Sequence, residues 1–169
     1  MREYSVDPFD MARVADVMDP DVDSIPASMT LAELTARIAA RDPGVTRHHA
    51  VAIVDSAGSL AGIVTRGDLL RALGDDAHGG LSPDTLPAIE AGSTTPVVAY
   101  PDELLQDAVT RMLHHHVGRL LVVDRAEPGR LVGSLGRPGV LNARMQRMKE
   151  EHHREPGWLS RRQTVGSKS

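Results

Sequence analysis

Two stretches of the chain carry apolar side chains at helical spacing, and they lie 74 positions apart. A continuous apolar run and then a Gly-x-Leu-x-Gly pattern follow each stretch in the same order. The matching positions are Leu31, Leu34 and Ile38 with Leu105, Ala108 and Met112, 51–54 with 120–123, and 58–62 with 129–133. This order and near-constant spacing predict one structural unit used twice. Because units of about 60 residues expose apolar faces that neither can bury alone, we expect the two to pack on each other as one domain.

The first unit is predicted to fold as strand, helix, strand, strand and helix. Thr30 can cap the first helix together with Glu33, which stands three residues later as in a capping box, and Asp42-Pro43-Gly44 ends that helix. A turn at 56–58 joins two strands into a hairpin. The predicted elements are an extended segment at 24–26, a helix beginning at Leu31, strands over 50–55 and 60–65, and a helix from Gly67 to Gly74.

The second unit repeats this order with few changes. Its last helix begins near Pro138, a residue that suits a first helical turn. That helix continues past Leu141, with Met145 and Met148 on the same face. The other predicted elements are a helix over 103–114 and strands over 120–123 and 131–135.

The segments around the repeats differ in composition. Residues 75–92 are rich in Gly, Pro, Asp and Ser, which is typical of a linker. The predicted organisation is a tether over 1–13, a first repeat over 14–74, the linker over 75–92, a second repeat over 93–145, a helical extension over 146–159 and a disordered polar tail over 160–169.

Composition limits the kind of protein this can be. Apolar residues make up 41% of the chain, yet only Tyr4, Phe9, Tyr100 and Trp158 are aromatic, so the core must be aliphatic. The net charge of −4 gives no general attraction to nucleic acid. There is no cysteine, and no apolar run approaches the roughly 20 residues of a membrane-spanning helix. The first residues lack the pattern of a signal peptide, and we expect a cytoplasmic location.

At this point the residues resemble a known family. Val14–Met18, the tandem repeat and the motif Gly62-Ile-Val-Thr-Arg-Gly-Asp68 resemble a pair of CBS domains, the Bateman module, over roughly residues 14–145. The resemblance implies an α/β (α+β) fold. Each repeat would form a small, mostly antiparallel sheet with two helices, and the two repeats would pack as a pseudo-twofold sandwich.

A narrower resemblance concerns the source of such a module. The stretches 46–50 and 65–73 and the extension through 151–158 resemble the cytoplasmic C-terminal tail of bacterial chloride channels and chloride–proton antiporters. This likeness implies that residues 1–13 follow the transmembrane domain of a chloride transporter, which would be the partner of the module.

The motif has a chemistry that follows from its atoms. Thr65 is predicted at the end of a strand and Asp68 in the first turn of the next helix. A carboxylate there can accept hydrogen bonds from both hydroxyls of a ribose, and the free N–H groups of a helix N-terminus favour an anion. Arg66 and Arg119 are candidate phosphate partners, because guanidinium groups bind phosphate oxygens bidentately.

The resemblance also implies which residues of the second repeat would complete the site. In CBS pairs the ribose motif of one repeat works with the beginning of a strand in the other, and adenine lies in an apolar slot. By that likeness, Thr65 and Asp68 would face Thr95 and Val117-Gly118-Arg119-Leu120. The ligand implied is an adenine nucleotide (AMP, ADP or ATP), with no cofactor required. The second copy has Gly136 and Gly139 where the first has Thr65 and Asp68, so we expect one site per chain.

Other functions are less well supported by the residues. The three histidines 114–116 point about 100° apart on a helix and cannot converge on one metal ion. The sequence has no nucleophile–base pairing and no phosphate loop, so we do not expect an enzyme. Alternatives to a nucleotide sensor attached to a transporter are a stand-alone sensor and a structural dimerisation module without ligand.

The apolar helix faces predict an assembly. Leu69, Leu73, Leu141 and Met145 present more apolar surface than a two-repeat sandwich should bury. CBS pairs commonly associate, and we therefore expect a homodimer in which two chains form a flat disc of four repeats.

Overall fold

Each half of the chain contains a strand, a helix, a β-hairpin and a second helix, in the predicted order. The structure, a computed structural model, describes residues 11–46, 49–74 and 82–153. In chain order the elements are α1 (Val14–Val17), β1 (Ser24–Pro26), α2 (Leu31–Ala39), α3 (Pro43–Thr46), β2 (Ala50–Val54), β3 (Leu60–Thr65), α4 (Arg66–Gly74), a 3₁₀ helix (Ala88–Ala91), β4 (Val98–Ala99), α5 (Leu105–His115), β5 (Arg119–Val123), β6 (Leu131–Gly136) and α6 (Arg137–His153).

The beginning of α2 confirms the predicted capping box. The N–H of Glu33 donates to Thr30 Oγ1 at 3.2 Å, and the N–H of Thr30 donates to Glu33 Oε2 at 3.3 Å. The end of this helix differs from the prediction, because α2 already stops at Ala39 and Arg41 has a positive φ of 57°. Pro43 then begins the separate short helix α3, in keeping with its preference for a first helical turn.

Helix α5 begins at Leu105, whereas the sequence predicted a helix that begins at Glu103. The Glu103 carboxylate instead accepts a 2.7 Å bond from the N–H of Tyr100 and is paired with the Arg111 guanidinium. Burial raises the pKa of Glu103, but the bonds from Arg111 and Tyr100 outweigh it and hold the pKa below its ordinary value. The turn before α5 is therefore fixed by an ion pair to the helix body.

Both sheets are mixed, and the antiparallel hairpin supplies most of the paired residues in each, as predicted. In the first, β1 runs parallel to β2, and β2 runs antiparallel to β3. The second sheet repeats this arrangement with β4, β5 and β6. Even the irregularity is repeated, because the register shifts between Ile53 and Val54 in one hairpin and between Val122 and Val123 in the other. The repeat seen in the sequence is thus a repeat of backbone geometry.

Each repeat completes its core with a segment that precedes the first strand of the other repeat. Ala12 and Val14 precede β1 but pack in the core of the second repeat, and Leu86 and Ala88 precede β4 but pack in the core of the first. The first core otherwise consists of Ile25, Leu31, Leu34, Val45, Val51, Ile53, Val64 and Leu69, and the second of Ala99, Leu105, Ala108, Met112, Leu120, Val122 and Leu135.

Backbone hydrogen bonds hold these exchanged segments in place. The N–H of Leu105 donates to Ala12 O at 2.7 Å, and the N–H of Leu31 donates to Leu86 O at 2.8 Å. The first N–H group of each helix, which has no partner within its own helix, is thereby satisfied. We call residues 12–17 and 86–91 the exchanged segments.

The exchange corrects two predicted boundaries. The predicted tether over 1–13 extends too far, because Ala12 is only 5% exposed and lies in a core. Residues 1–10 lie outside the described residues. The predicted linker over 75–92 is likewise too long at its end, because Leu86 and Ala88 are buried; residues 75–81 lie outside the described residues, as do 154–169 with the predicted tail.

Further contacts join the two sheets directly. Ser93 forms an antiparallel bridge with Ile63 in β3, with two 2.9 Å bonds, and Asp19 forms the matching bridge with Ser134 in β6, with bonds of 2.8 and 2.9 Å. At the hairpin tips the N–H of Leu60 donates to Gly129 O at 2.8 Å. The segment before the first strand of each repeat therefore contacts the outer strand of the other.

No helix in the described part of the chain is both long and apolar enough to cross a bilayer.

The exchanged segments should contribute directly to stability. Val14 is fully buried in the second core, so Val14→Ala should lower the free energy of unfolding by about 1–3 kcal/mol through lost burial and a residual cavity. The measurement is urea unfolding followed by circular dichroism. The neighbouring Met11 is 66% exposed, and Met11→Ala should change stability by no more than about 0.5 kcal/mol. Equal effects of the two substitutions would contradict the exchange.

Candidate functional site

The polar motif of the first repeat lies where β3 passes directly into α4. The N–H of Thr65 donates to Asp68 Oδ2 at 2.9 Å, and the N–H of Asp68 donates to Thr65 Oγ1 at 3.1 Å. Each side chain thus binds the backbone of the other, as in a capping box. The structure confirms that Thr65 ends a strand and that Asp68 stands in the first turn of a helix.

A third residue completes this junction. The Arg71 guanidinium, one turn further along α4, pairs with Asp68 Oδ1. The Arg71 side chain is 73% exposed, whereas that of Asp68 is only 18% exposed. Both carboxylate oxygens of Asp68 therefore have a partner, but one partner is an exposed side chain that a ligand could displace. Arg71 was not among the predicted site residues, although its i+3 spacing from Asp68 on a predicted helix is a usable signal.

A cavity of about 500 Å³ opens beside this junction. This volume lies within the range of about 300–1,000 Å³ that small-molecule sites occupy. Thr65 and Arg66 stand on its rim, and its described walls are mainly aliphatic: Ile38, Val45, Ala50, Val51, Val64, Leu69, Leu70 and Leu73. The cavity lies among α2, α3, α4 and the adjoining ends of β2 and β3, and so within the first repeat. Adjacent polar and apolar surfaces can receive a ligand that has a charged end and a flat apolar end.

The residues predicted to face this motif from the second repeat are arranged differently. The Leu120 side chain is fully buried in the second core and so cannot line a site. Val117 packs against the same core, and Gly118 lies beside Arg137. Thr95 is exposed, and its N–H donates to Ser93 Oγ at 3.1 Å. Any contact of Leu120 with a ligand would therefore involve its backbone, and Thr95, Val117, Gly118 and Leu120 stay predictions.

Arg119 binds within the second repeat. One of its guanidinium nitrogens donates to Ser134 Oγ at 2.7 Å, and the group lies against Gly136, the counterpart of Thr65. Burial holds the pKa of Arg119 below its ordinary value, while the carboxylates of Asp19 and Asp23 act in the opposite direction. The expected role of Arg119 as a phosphate partner at Thr65 is therefore not supported by its contacts. The sequence did not predict these surroundings of Arg119. Asp19 and Ser134 are 115 positions apart, so no local pattern indicates that they meet.

The histidines at the end of α5 were considered as metal ligands. His114 and His115 stack edge to face with ring centroids 5.5 Å apart. His116 ends the helix in the left-handed conformation. In the described ranges no group of three or more histidine, aspartate or glutamate side chains is placed to hold a metal ion.

Two repeats of one α/β unit, with exchanged segments and one intact Thr–Asp junction, define the class of this protein. The family model of the CBS domain matches residues 14–75 and 89–145. The chain therefore belongs to the CBS domain family and contains a tandem pair of such domains, which confirms the resemblance seen in the sequence.

Known proteins with similar sequences extend beyond this module. Arabinose 5-phosphate isomerase KpsF of Escherichia coli O6:H1 is 32% identical over 116 residues, which cover 69% of this chain and 33% of the isomerase. The chain thus spans about a third of the length of the curated relatives that it matches.

Solved structures show the same fold. A CBS domain protein from Pyrobaculum aerophilum complexed with AMP has a TM-score of 0.61 at 21% identity, over 76% of this chain and 89% of that one. The cytosolic domain of the Mg²⁺ channel MgtE in complex with ATP has a TM-score of 0.62 at 22% identity, over 78% of this chain and 48% of that one. At these identities the likeness establishes the fold alone.

The junction should contribute to stability even without a ligand. Asp68→Ala removes a helix cap and an ion pair, so the free energy of unfolding should fall by about 0.5–2 kcal/mol in buffer alone. Chemical unfolding with and without the substitution measures this loss. The control is Gly139→Ala at the matching position of α6, where an added Cβ would meet Val17 only at 3.6 Å, an ordinary contact. An unchanged stability for Asp68→Ala would show that the capping arrangement does not form.

Proposed function

We propose that this chain is a regulatory module that binds one adenine nucleotide at the junction of β3 and α4. Binding would modulate the protein to which the module is attached or with which it associates. One observation carries the proposal: Thr65 and Asp68 are held side by side at the beginning of α4, next to a cavity with aliphatic walls. The second repeat has no equivalent side chains.

The chemistry of the junction suits a nucleotide. The 2′ and 3′ hydroxyls of a ribose can donate to the Asp68 carboxylate in place of Arg71, whose exposed side chain is free to swing toward a phosphate. Arg66 is exposed at the first position of α4, where the helix N-terminus also favours an anion. An adenine base requires only aliphatic and backbone surroundings, which the cavity provides.

Structural relatives support the choice of ligand. Two proteins of the same fold were solved with AMP and with ATP. In this proposal the module acts by binding and not by catalysis, and it requires no cofactor for its own activity.

Calorimetric titration tests the proposal directly. AMP, ADP or ATP should bind with one site per chain, and Asp68→Ala should weaken binding at least about tenfold, since hydrogen bonds to a charged group are worth about 1.5–3 kcal/mol. The 2′-deoxy nucleotides should bind more weakly than the ribose forms, because they lack one of the two hydroxyls.

The matched control lies in the second repeat. Gly139→Ala changes the position equivalent to Asp68, where there is no side chain to lose, and should leave the affinity unchanged. Circular dichroism of each variant checks that it is folded. The absence of heat and of any thermal shift with millimolar AMP, ADP and ATP would overturn the proposal and favour a structural dimerisation module.

The attached protein is a second part of the proposal. The sequence resemblance suggests the transmembrane domain of a chloride transporter, reached through residues 1–10. The match to a third of a sugar-phosphate isomerase shows that such pairs also occur in larger enzymes. A stand-alone sensor that acts on another partner is the remaining alternative. The coding sequence upstream of residue 1 distinguishes these arrangements.

We also propose a homodimer that is formed by the second helix of each repeat. Leu70 and Leu73 on α4 are 65% and 51% exposed. Leu141, Met145 and Met148 on α6 are 63%, 56% and 57% exposed. Within each helix these residues recur at i+3 or i+4 and so share a face. Leu69 does not belong to this surface, because it is 8% exposed and packs in the first core.

Light scattering after size exclusion tests the dimer. The chain has a mass of 18.2 kDa, and we expect about twice this value at tens of micromolar. Leu73→Glu combined with Met145→Glu should give the monomer mass, because two charges would enter an apolar interface. Leu113→Glu is the control, since Leu113 is 72% exposed but lies on α5. A monomeric wild type would refute the dimer.

A further inference from the structure

One cross-strand pair differs between the two repeats in the size of its side chains. Ala50 at the beginning of β2 lies opposite Thr65 at the end of β3. Arg119 at the beginning of β5 lies opposite Gly136 at the end of β6. In the first repeat a small side chain faces one that carries a hydroxyl. In the second repeat the long cationic side chain of Arg119 faces a glycine, which has no side chain.

The Arg119 side chain fills the space that Gly136 leaves. A Cβ placed on Gly136 would lie 2.7 Å from Arg119 Cζ, which is closer than a real contact allows. The guanidinium thus stands where a side chain at position 136 would be. Its bond to Ser134 Oγ holds it there.

The charges around this position also differ between the repeats. Asp19 and Asp23 both attract Arg119, and Asp19 is held over β6 by its backbone bridge to Ser134. The residues 74 positions later, Ser93 and Val97, are uncharged. Two carboxylates of the same chain thus act on the guanidinium in the second repeat, whereas the residues at the equivalent positions beside the first are uncharged.

We propose that Arg119 closes the position in the second repeat that corresponds to the Thr65–Asp68 site of the first. Its guanidinium occupies the position where the first repeat presents Thr65, and the carboxylates around it disfavour a phosphate. The second repeat has glycine in place of both Thr65 and Asp68, and the Arg119 side chain occupies the space that remains. The ligand part of this inference depends on the proposed function, whereas the packing part does not.

A thermal unfolding cycle tests the packing part. Gly136→Thr should lower the midpoint of unfolding by about 2–4 °C, because the new side chain must displace the guanidinium from Ser134. In the Arg119→Ala background the same substitution should leave the midpoint unchanged or raise it, since threonine is favoured over glycine in a strand. If Arg119→Ala alone does not fold, Arg119→Ala with Asp23→Asn serves as the background.

A matched control shows whether the effect is local. Gly139→Ala adds a side chain three residues away, next to Val17 and not next to Arg119. Its effect on the midpoint should be the same with and without Arg119. Equal effects of Gly136→Thr in both backgrounds would overturn the inference.

A titration tests the ligand part, using the nucleotide that binds the wild type. In the Asp68→Ala background, where the first site is impaired, Gly136→Thr with Gly139→Asp should not add a binding site. The further change Arg119→Ala should add one, with an affinity at least about tenfold above that of the Asp68→Ala parent. Binding without Arg119→Ala, or no binding with it, would overturn the role of Arg119. A wild type that binds no nucleotide would refute the proposed function instead, and the thermal cycle would still decide the packing part.

Discussion

The exchange of segments between the repeats is the constraint on which the rest of the structure depends. Neither core is complete without residues that precede the first strand of the other repeat, because Val14 packs with the second and Ala88 with the first. Units of about 60 residues are only marginally stable alone, and the exchange joins the two cores. It also fixes their relative position, since Asp19 and Ser93 are then led along the outer strand of the opposite sheet.

The Ser93–Ile63 and Asp19–Ser134 bridges give the two repeats different chemical surroundings on the same backbone. Ser93 brings a neutral side chain to β3, whereas Asp19 brings a carboxylate to β6. Arg119 can remain half-buried only because such carboxylates and Ser134 accompany it, since an unpaired buried guanidinium would be costly. A symmetric architecture therefore does not impose symmetric function, and single substitutions at equivalent positions decide what each strand end can bind.

Local features of this fold could be predicted from the sequence, and long-range ones could not. The Thr30 capping box, both hairpins and the Thr65–Asp68 junction each depend on residues a few positions apart, and their signals are correspondingly clear. The exchange was not predicted, because α1 has four residues and shows no periodicity. The surroundings of Arg119 depend on the bridge between Asp19 and Ser134, which are too far apart in the chain for any local pattern to predict.

The proposed site and the Ser93–Ile63 bridge both involve β3, and this strand provides a physical link between binding and packing. Thr65 is two residues from Ile63, whose backbone binds Ser93 at the beginning of the second repeat. A ligand that draws Asp68 away from Arg71 acts on the junction that ends β3, and any shift of that strand is transmitted to Ser93. The corresponding strand β6 is already fixed by Arg119 through Ser134, with or without a ligand. In the proposed function, a single binding event would therefore act on β3 and Ser93, while β6 stays held by Arg119 and Ser134.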